Sequence, residues 1–226
     1  MRFLFLTLYG YESDFYGRVS RHLADAGHEV AHVTWSRESA RRLGEMGLVA
    51  HLLPELLTEA AQGRDLDTER RRIEAGYSMS NLRDVYRTDW PADGLAESEA
   101  IERTVRHFLA LEPVFDEVRP DVVVPEVGSE SIRTVSHLIA LDRGIDVLFL
   151  FYTIFPKPLR LYANTMHAPI VAREDVRALE PAEREEVERF IAEFTAADKP
   201  IRAYREPQVT TRTLRDFVGQ LGAQLT

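Results

Sequence analysis

Apolar residues fall into two rhythms along this chain, and residues 121–164 show both. Val122, Val123 and Val124 form an unbroken β-branched run that stops at Pro125. A polar turn follows, with Glu126, Gly128, Ser129, Glu130 and Ser131. Ile132, Val135, Leu138, Ile139 and Leu141 then recur at helical spacing, and residues 147–151 make a second apolar run. Runs without polar alternation mark strands buried on both faces. A helix between two of them marks a parallel crossover. Ligands in such sheets sit beyond the carboxyl ends of the strands, so the polar turn is the first place to expect a site.

The N-terminal third repeats the pattern. Residues 2–8 read as a buried strand and residues 9–14 as a polar loop. Phe15, Val19, Leu23 and Ala26 are spaced for a helix packed on a sheet, and Gly27 stops it where a left-handed residue is needed. Strands at 30–35 and 48–53 flank a helix at 37–46, with Ser36 as its N-cap and Gly47 as its stop. The middle, from about 56 to 116, holds no strand signal and reads as a charged helical insertion with a turn at Asp93-Gly94. Its last helix spans 97–118 and contains Pro113, which threatens a kink. Residues 170–171 suggest a short strand, residues 181–195 an acidic helix and residues 213–221 a last one. The expectation is one α/β domain over residues 1–226: a doubly wound, mostly parallel, Rossmann-like sheet with its first strand central. The helical insertion and a C-terminal helical extension from about 176 to 226 complete it.

Composition narrows the chemistry. The net charge of −9 argues against nucleic acid, which needs a basic surface. Cysteine is absent, which excludes disulfides and thiolate chemistry and fits a reducing cytoplasm. No stretch reaches the roughly 18–20 apolar residues of a membrane span, and the N-terminus lacks the features of a signal peptide. The run Arg70, Arg71, Arg72 reads as a solvated helix face, or as a site for a lipid phosphate or a membrane surface. No histidine spacing suggests a metal site. The first loop has one glycine, Gly10, where the dinucleotide fingerprint needs three.

Several residues admit both a structural and a chemical role. Asp14 suits an N-cap or a base. Glu12 has no evident capping role, which leaves it available for chemistry. Glu126 reads as a solvated loop carboxylate, or as a base or a ligand for a sugar hydroxyl. Ser129 and Ser131 read as caps or as substrate contacts. Arg133 stands out, because a cation in the first turn opposes the helix dipole and calls for a carboxylate or anion partner. Tyr77, Asn81, Tyr86, Arg87 and Trp90 suit sugar stacking and hydroxyl bonding, and equally suit packing on a neighbouring surface. His167 follows the LYAN segment as a further candidate ligand contact.

Three segments carry a resemblance: FLFLTLYGYESDFYGRVSRHLADAGHEVAHVT at 3–34, YSMSNLRDVYRTD at 77–89 and FPKPLRLYAN at 155–164. They resemble the acceptor-side N-terminal domain of GT-B glycosyltransferases, and more narrowly the capsule and surface polysaccharide group. The resemblance implies a nucleotide sugar as co-substrate, a sugar acceptor and no tightly bound cofactor. Glu12, Asp14 and Glu126 become candidate catalytic residues. Gly10, Ser129, Arg133, Tyr77, Asn81 and His167 become candidate substrate contacts. It also implies a second, donor-binding domain that 226 residues do not hold, so a partner subunit or a missing C-terminal half is expected. Ile154, Phe155, Leu159, Leu161 and Tyr162 then read as a docking surface for that half or for a second copy, or as residues folded onto their own domain. The competing class is a non-catalytic Rossmann-like module for ligand binding or assembly.

Overall fold

The computed structural model describes residues 1–60, 62–87, 89, 92–152, 159–165 and 177–196. The chain runs β1 (Arg2–Leu6), α1 (Gly10–Asp25), β2 (Glu29–Thr34), α2 (Arg37–Glu45), β3 (Val49–Leu52), α3 (Leu53–Ala60), α4 (Leu66–Gly76), α5 (Arg83–Tyr86), α6 (Glu97–Val118), β4 (Val122–Val124), α7 (Ser131–Asp142), β5 (Asp146–Tyr152), β6 (Leu159–Ala163) and α8 (Pro181–Ala196). It divides into two compact units, Met1–Phe151 with Arg160–His167, and Tyr152–Leu159 with Ala168–Thr226. Helix α8 belongs to the second and buries none of its residues.

The strands form one sheet in the order β3-β2-β1-β4-β5-β6, mostly parallel, with a single antiparallel pair. The pairs β1–β2, β1–β4, β2–β3 and β4–β5 are parallel. Alternate side chains leave opposite faces of each strand. Phe5, Val122, Val124 and Leu150 meet Tyr16 on one face. Leu4, Leu6, Val123, Val147 and Phe149 join α6 and α7 in the larger core, with Phe108, Phe115 and Ile139. The helices divide this way because the chain leaves β1 toward β2 and leaves β4 toward β5. Right-handed crossovers travelling in opposite directions lay their helices on opposite faces. The doubly wound fold is as expected, with the helical insertion between β3 and β4.

Local chemistry explains the boundaries. Ser36 caps α2, accepting the Ser39 N–H at 3.0 Å. Gly17 is where α2 closes on α1: a Cβ there would lie 3.1 Å from Met46 Sδ and 3.3 Å from Leu43 Cδ2. Helix α6 runs through Pro113 without a break and ends at Arg119 in the left-handed region, φ 46°.

Three expectations change. Residues 9–14 are not a loop, because α1 already begins at Gly10 with Tyr9 as its N-cap. Asp14 therefore lies inside the helix and caps nothing. Strand β6 was not foreseen. Asn164, just after it, donates its backbone N–H to the Val147 carbonyl, accepts the Val147 N–H and bonds Asp146, and all three links to β5 are non-local. Within that segment Tyr162 packs edge-on against Phe151 in its own unit, 5.1 Å between ring centres, while Leu161 is exposed. Ile154, Phe155, residues 170–171 and the helix at 213–221 lie outside the described residues.

Arg119 holds a conformation that disfavours any side chain, by about 1–2 kcal/mol. Arg119→Gly relieves that strain but loosens the unfolded chain. The net expectation is a gain of about 0.5–1 kcal/mol, read as a higher urea midpoint at unchanged slope. A lower midpoint contradicts it.

Candidate functional site

Strands β1 and β4 lie side by side, with Phe5 opposite Val124. The chain leaves them into helices on opposite faces, so a gap opens at their carboxyl ends. Four charged side chains meet there. Arg133 stands at the third position of α7 and is almost wholly buried. Its Nη2 donates to Glu12 Oε1 at 2.7 Å, and its Nε donates to Glu130 Oε2 at 2.8 Å. Its Nη1 donates to the Pro125 carbonyl at 2.8 Å and the Leu6 carbonyl at 3.4 Å. The misplaced cation thus finds two carboxylates and two strand ends.

Aromatic hydroxyls complete the group. Tyr9 donates to Glu130 Oε1 at 2.6 Å, Tyr11 donates to Glu12 Oε1 at 3.3 Å, and Tyr16 donates to Glu126 Oε2. Glu12 also accepts the Tyr9 backbone N–H at 3.3 Å, so it has a capping role after all. Glu126 is buried and its backbone sits at φ 63°, a conformation uncommon for glutamate and one that tends to mark functional positions. Gly128 crosses close above: a Cβ there would fall 2.3 Å from Glu130 Oε2 and 2.7 Å from Arg133 Nε.

Burial sets the electrostatics. It raises the Glu12 carboxyl above the usual range, outweighing the opposing pull of Arg133, and the nearby Glu126 charge adds to the rise. Burial alone would weaken the Arg133 charge, but Glu12 and Glu130 more than reverse it. For Glu130 burial is likewise overcome, by the Tyr9 hydroxyl and Arg133, and its carboxyl is held low. Three carboxylates face one guanidinium, so the switch point is acidic.

The predicted residues divide. Glu12, Glu126 and Arg133 come together, Gly10 opens the adjoining helix, and Ser129 is exposed on the loop before α7. Asp14 turns away and pairs with Arg42 of α2 at 3.1 Å. Tyr77 packs on Phe108 of α6 and donates to Glu112 at 2.7 Å, and Asn81 accepts the Asp84 N–H at 3.2 Å. Both contacts lie within the insertion, and Asn81 is exposed. His167 and Trp90 lie outside the described residues. Sequence reasoning passed over Glu130 as a site residue, although an acidic residue three positions before Arg133 signals a pair. It also missed Tyr9 and Tyr16, and the partner of Tyr16 is 110 residues away.

Helix α7 takes no side-chain cap from Ser129 or Ser131, since its N-cap is Glu130. The Ser131 hydroxyl instead donates to Asp89 Oδ2 at 2.6 Å and lies 2.9 Å from His107 Nδ1. A hydrolytic triad needs the imidazole between serine and carboxylate. Here the serine is in the middle and fully buried, so the trio ties α7 to the insertion. A hollow of about 590 Å³ lies between α3 and α6, with Leu57, Arg103 and His107 in its wall, and none of the switch-point carboxylates lines it. Among the described residues no cluster has the ligands for a metal, and no helix is long and apolar enough to cross a membrane. No protein-family model matches the chain, and comparison with curated proteins finds no match.

Two expectations follow. Gly128→Ala drives a methyl group into side chains that the network pins, so Glu130 and Arg133 must part. Unfolding free energy should fall by about 1–3 kcal/mol, and an unchanged midpoint in urea would show the pair to be slack. The second concerns acid. Burial lowers the imidazoles of His32 and His107 to about 3, so both stay neutral in the fold, while the unfolded chain protonates below about 6.5. The unfolded state then binds more protons as pH falls from about 6.5 toward 3, and stability is lost in that window. By pH 5 each histidine should remove about 2 kcal/mol. Ring resonances that titrate near 6.5 in the folded protein would contradict this.

Proposed function

We propose that this chain supplies the acceptor-binding half of a GT-B-type glycosyltransferase acting in surface polysaccharide synthesis. The observation that carries the reading is the acidic switch point. Rossmann-like folds commonly hold a phosphate at the first helix N-terminus, where the dipole and free N–H groups favour an anion. In this chain Glu12 lies across that end and accepts the Tyr9 N–H, with Glu126 and Glu130 beside it. A nucleotide diphosphate would be repelled. A neutral, hydroxyl-rich acceptor would find carboxylates to accept its hydroxyl protons.

The chemistry assigned to the group is proton abstraction. The acceptor oxygen bonds to the anomeric carbon as the bond from that carbon to the nucleotide phosphate breaks. The hydroxyl proton passes to a carboxylate. Glu126 suits that task better than Glu12, which is committed to Arg133 and to the helix end. A donor-binding domain, joined or separate, brings the nucleotide sugar. Positioning across two domains can account for about 7–11 kcal/mol of the barrier, so the isolated chain should be inactive.

One observation favours a second reading, a binding module without catalysis. Every nitrogen of the Arg133 guanidinium donates within the chain, which makes the network a structural brace as much as a reactive group.

The deciding assay follows nucleotide release from a panel of nucleotide sugars, by the chain alone and with the products of neighbouring reading frames. Activity is expected only in the mixture. Glu126→Gln keeps an acceptor for Tyr16 and should lower turnover about 10²–10⁴-fold. Full turnover by Glu126→Gln, or robust transfer by the chain alone, contradicts the proposal.

A further inference from the structure

We infer that Tyr11 is a stacking platform that selects a pyranose ring for the switch-point site, an assignment that rests on the acceptor reading above. Tyr11 is the second residue of α1 and is 72 % exposed, although it belongs to an ordered column. Its ring lies nearly parallel to that of Tyr9, with centroids 5.9 Å apart and planes 7° from parallel. The Arg133 guanidinium carbon sits 6.0 Å from the Tyr9 ring centre. The Tyr11 hydroxyl is tied to Glu12 at 3.3 Å. One face of the ring is therefore backed by Tyr9, its polar end is anchored, and the rest faces solvent beside the carboxylates. An anchored ring loses little freedom when something stacks on it, which is the condition under which a surface aromatic contributes to binding.

The surroundings choose the ligand. An aromatic face carries partial negative charge and attracts the C–H groups of a sugar ring or the face of a base. A base arrives with phosphates, which the excess of carboxylates over the single guanidinium repels. A neutral pyranose brings none, and the carboxylates do not repel its hydroxyl groups. There is room: a Cβ built on Gly10, next to Tyr11, would meet nothing within 4 Å. Gly10 takes no left-handed backbone, so its conformation does not require glycine.

The test uses the full chain and NMR titration of the Tyr11 ring with methyl glycosides of glucose, galactose, mannose and N-acetylglucosamine. Uridine diphosphate and inorganic phosphate serve as anionic probes. At least one glycoside should shift the Tyr11 resonances, with neither anion doing so. Tyr11→Phe keeps the ring but loses its anchor to Glu12, so it should weaken binding by less than Tyr11→Ala does. Tyr11→Ala should weaken binding about tenfold or more, within the range that stacking on an aromatic supports. The site is on the surface, so both variants should fold, which their unfolding curves will confirm. Glycoside binding that perturbs the Glu126 loop but is indifferent to Tyr11→Ala overturns the platform and leaves the acceptor reading standing. Diphosphate binding in place of any glycoside overturns both.

Discussion

The Arg133 guanidinium is the constraint around which the first unit is arranged. One side chain reaches the carbonyl ends of β1 and β4, the N-terminal turn of α1 through Glu12, and the cap of its own helix through Glu130. Each contact would be modest in water. Buried, the charges cannot be separated cheaply, because removing one partner leaves the others desolvated and unpaired. The gap at a topological switch point is a natural weak spot, since helices cover the sheet from opposite sides and neither closes it. In this chain a cation closes it from beneath.

That arrangement also sets the chemistry on offer. Glu12 is held against a helix end and an arginine, Glu130 against Arg133 and Tyr9, and Glu126 against Tyr16 on a left-handed backbone. These are pre-organised positions, which catalysis and specific binding both require. The excess of negative charge disfavours a nucleotide diphosphate at this edge of the fold. The Asp89, Ser131 and His107 trio adds a second tie, from the start of α7 into the helical insertion. The loop carrying Glu126 thus leads into a helix pinned at its first and third residues.

Much of the fold was legible because parallel strands buried on both faces leave unbroken apolar runs. Residues 122–124 and the helix at 97–118 were placed to the residue. The start of α1 was misread because a tyrosine followed by glycine looks like a loop, and its cap comes from Glu12 rather than from a serine or aspartate at the boundary. Strand β6 was missed because its pairing is with β5 and five residues carry little signal of their own. Arg133 was flagged by a local misfit, a cation at a helix N-terminus, and Glu130 was within local reach. Glu12 is 121 residues from Arg133, and no pattern along the chain joins them. The site was readable as a place in the fold and only partly as a set of partners.

Unfolding free energies of Arg133→Met and of Arg133→Met combined with Glu12→Gln and Glu130→Gln test the account most directly. Methionine keeps the apolar stem and deletes the charge. If the guanidinium is what holds the switch point together, the single variant should lose about 3–5 kcal/mol, because buried carboxylates are left unpaired. The triple variant, with those charges also removed, should recover a large part of the loss. A single variant within about 1 kcal/mol of the wild type, or a triple variant no better than the single, would show that the network does not carry this role.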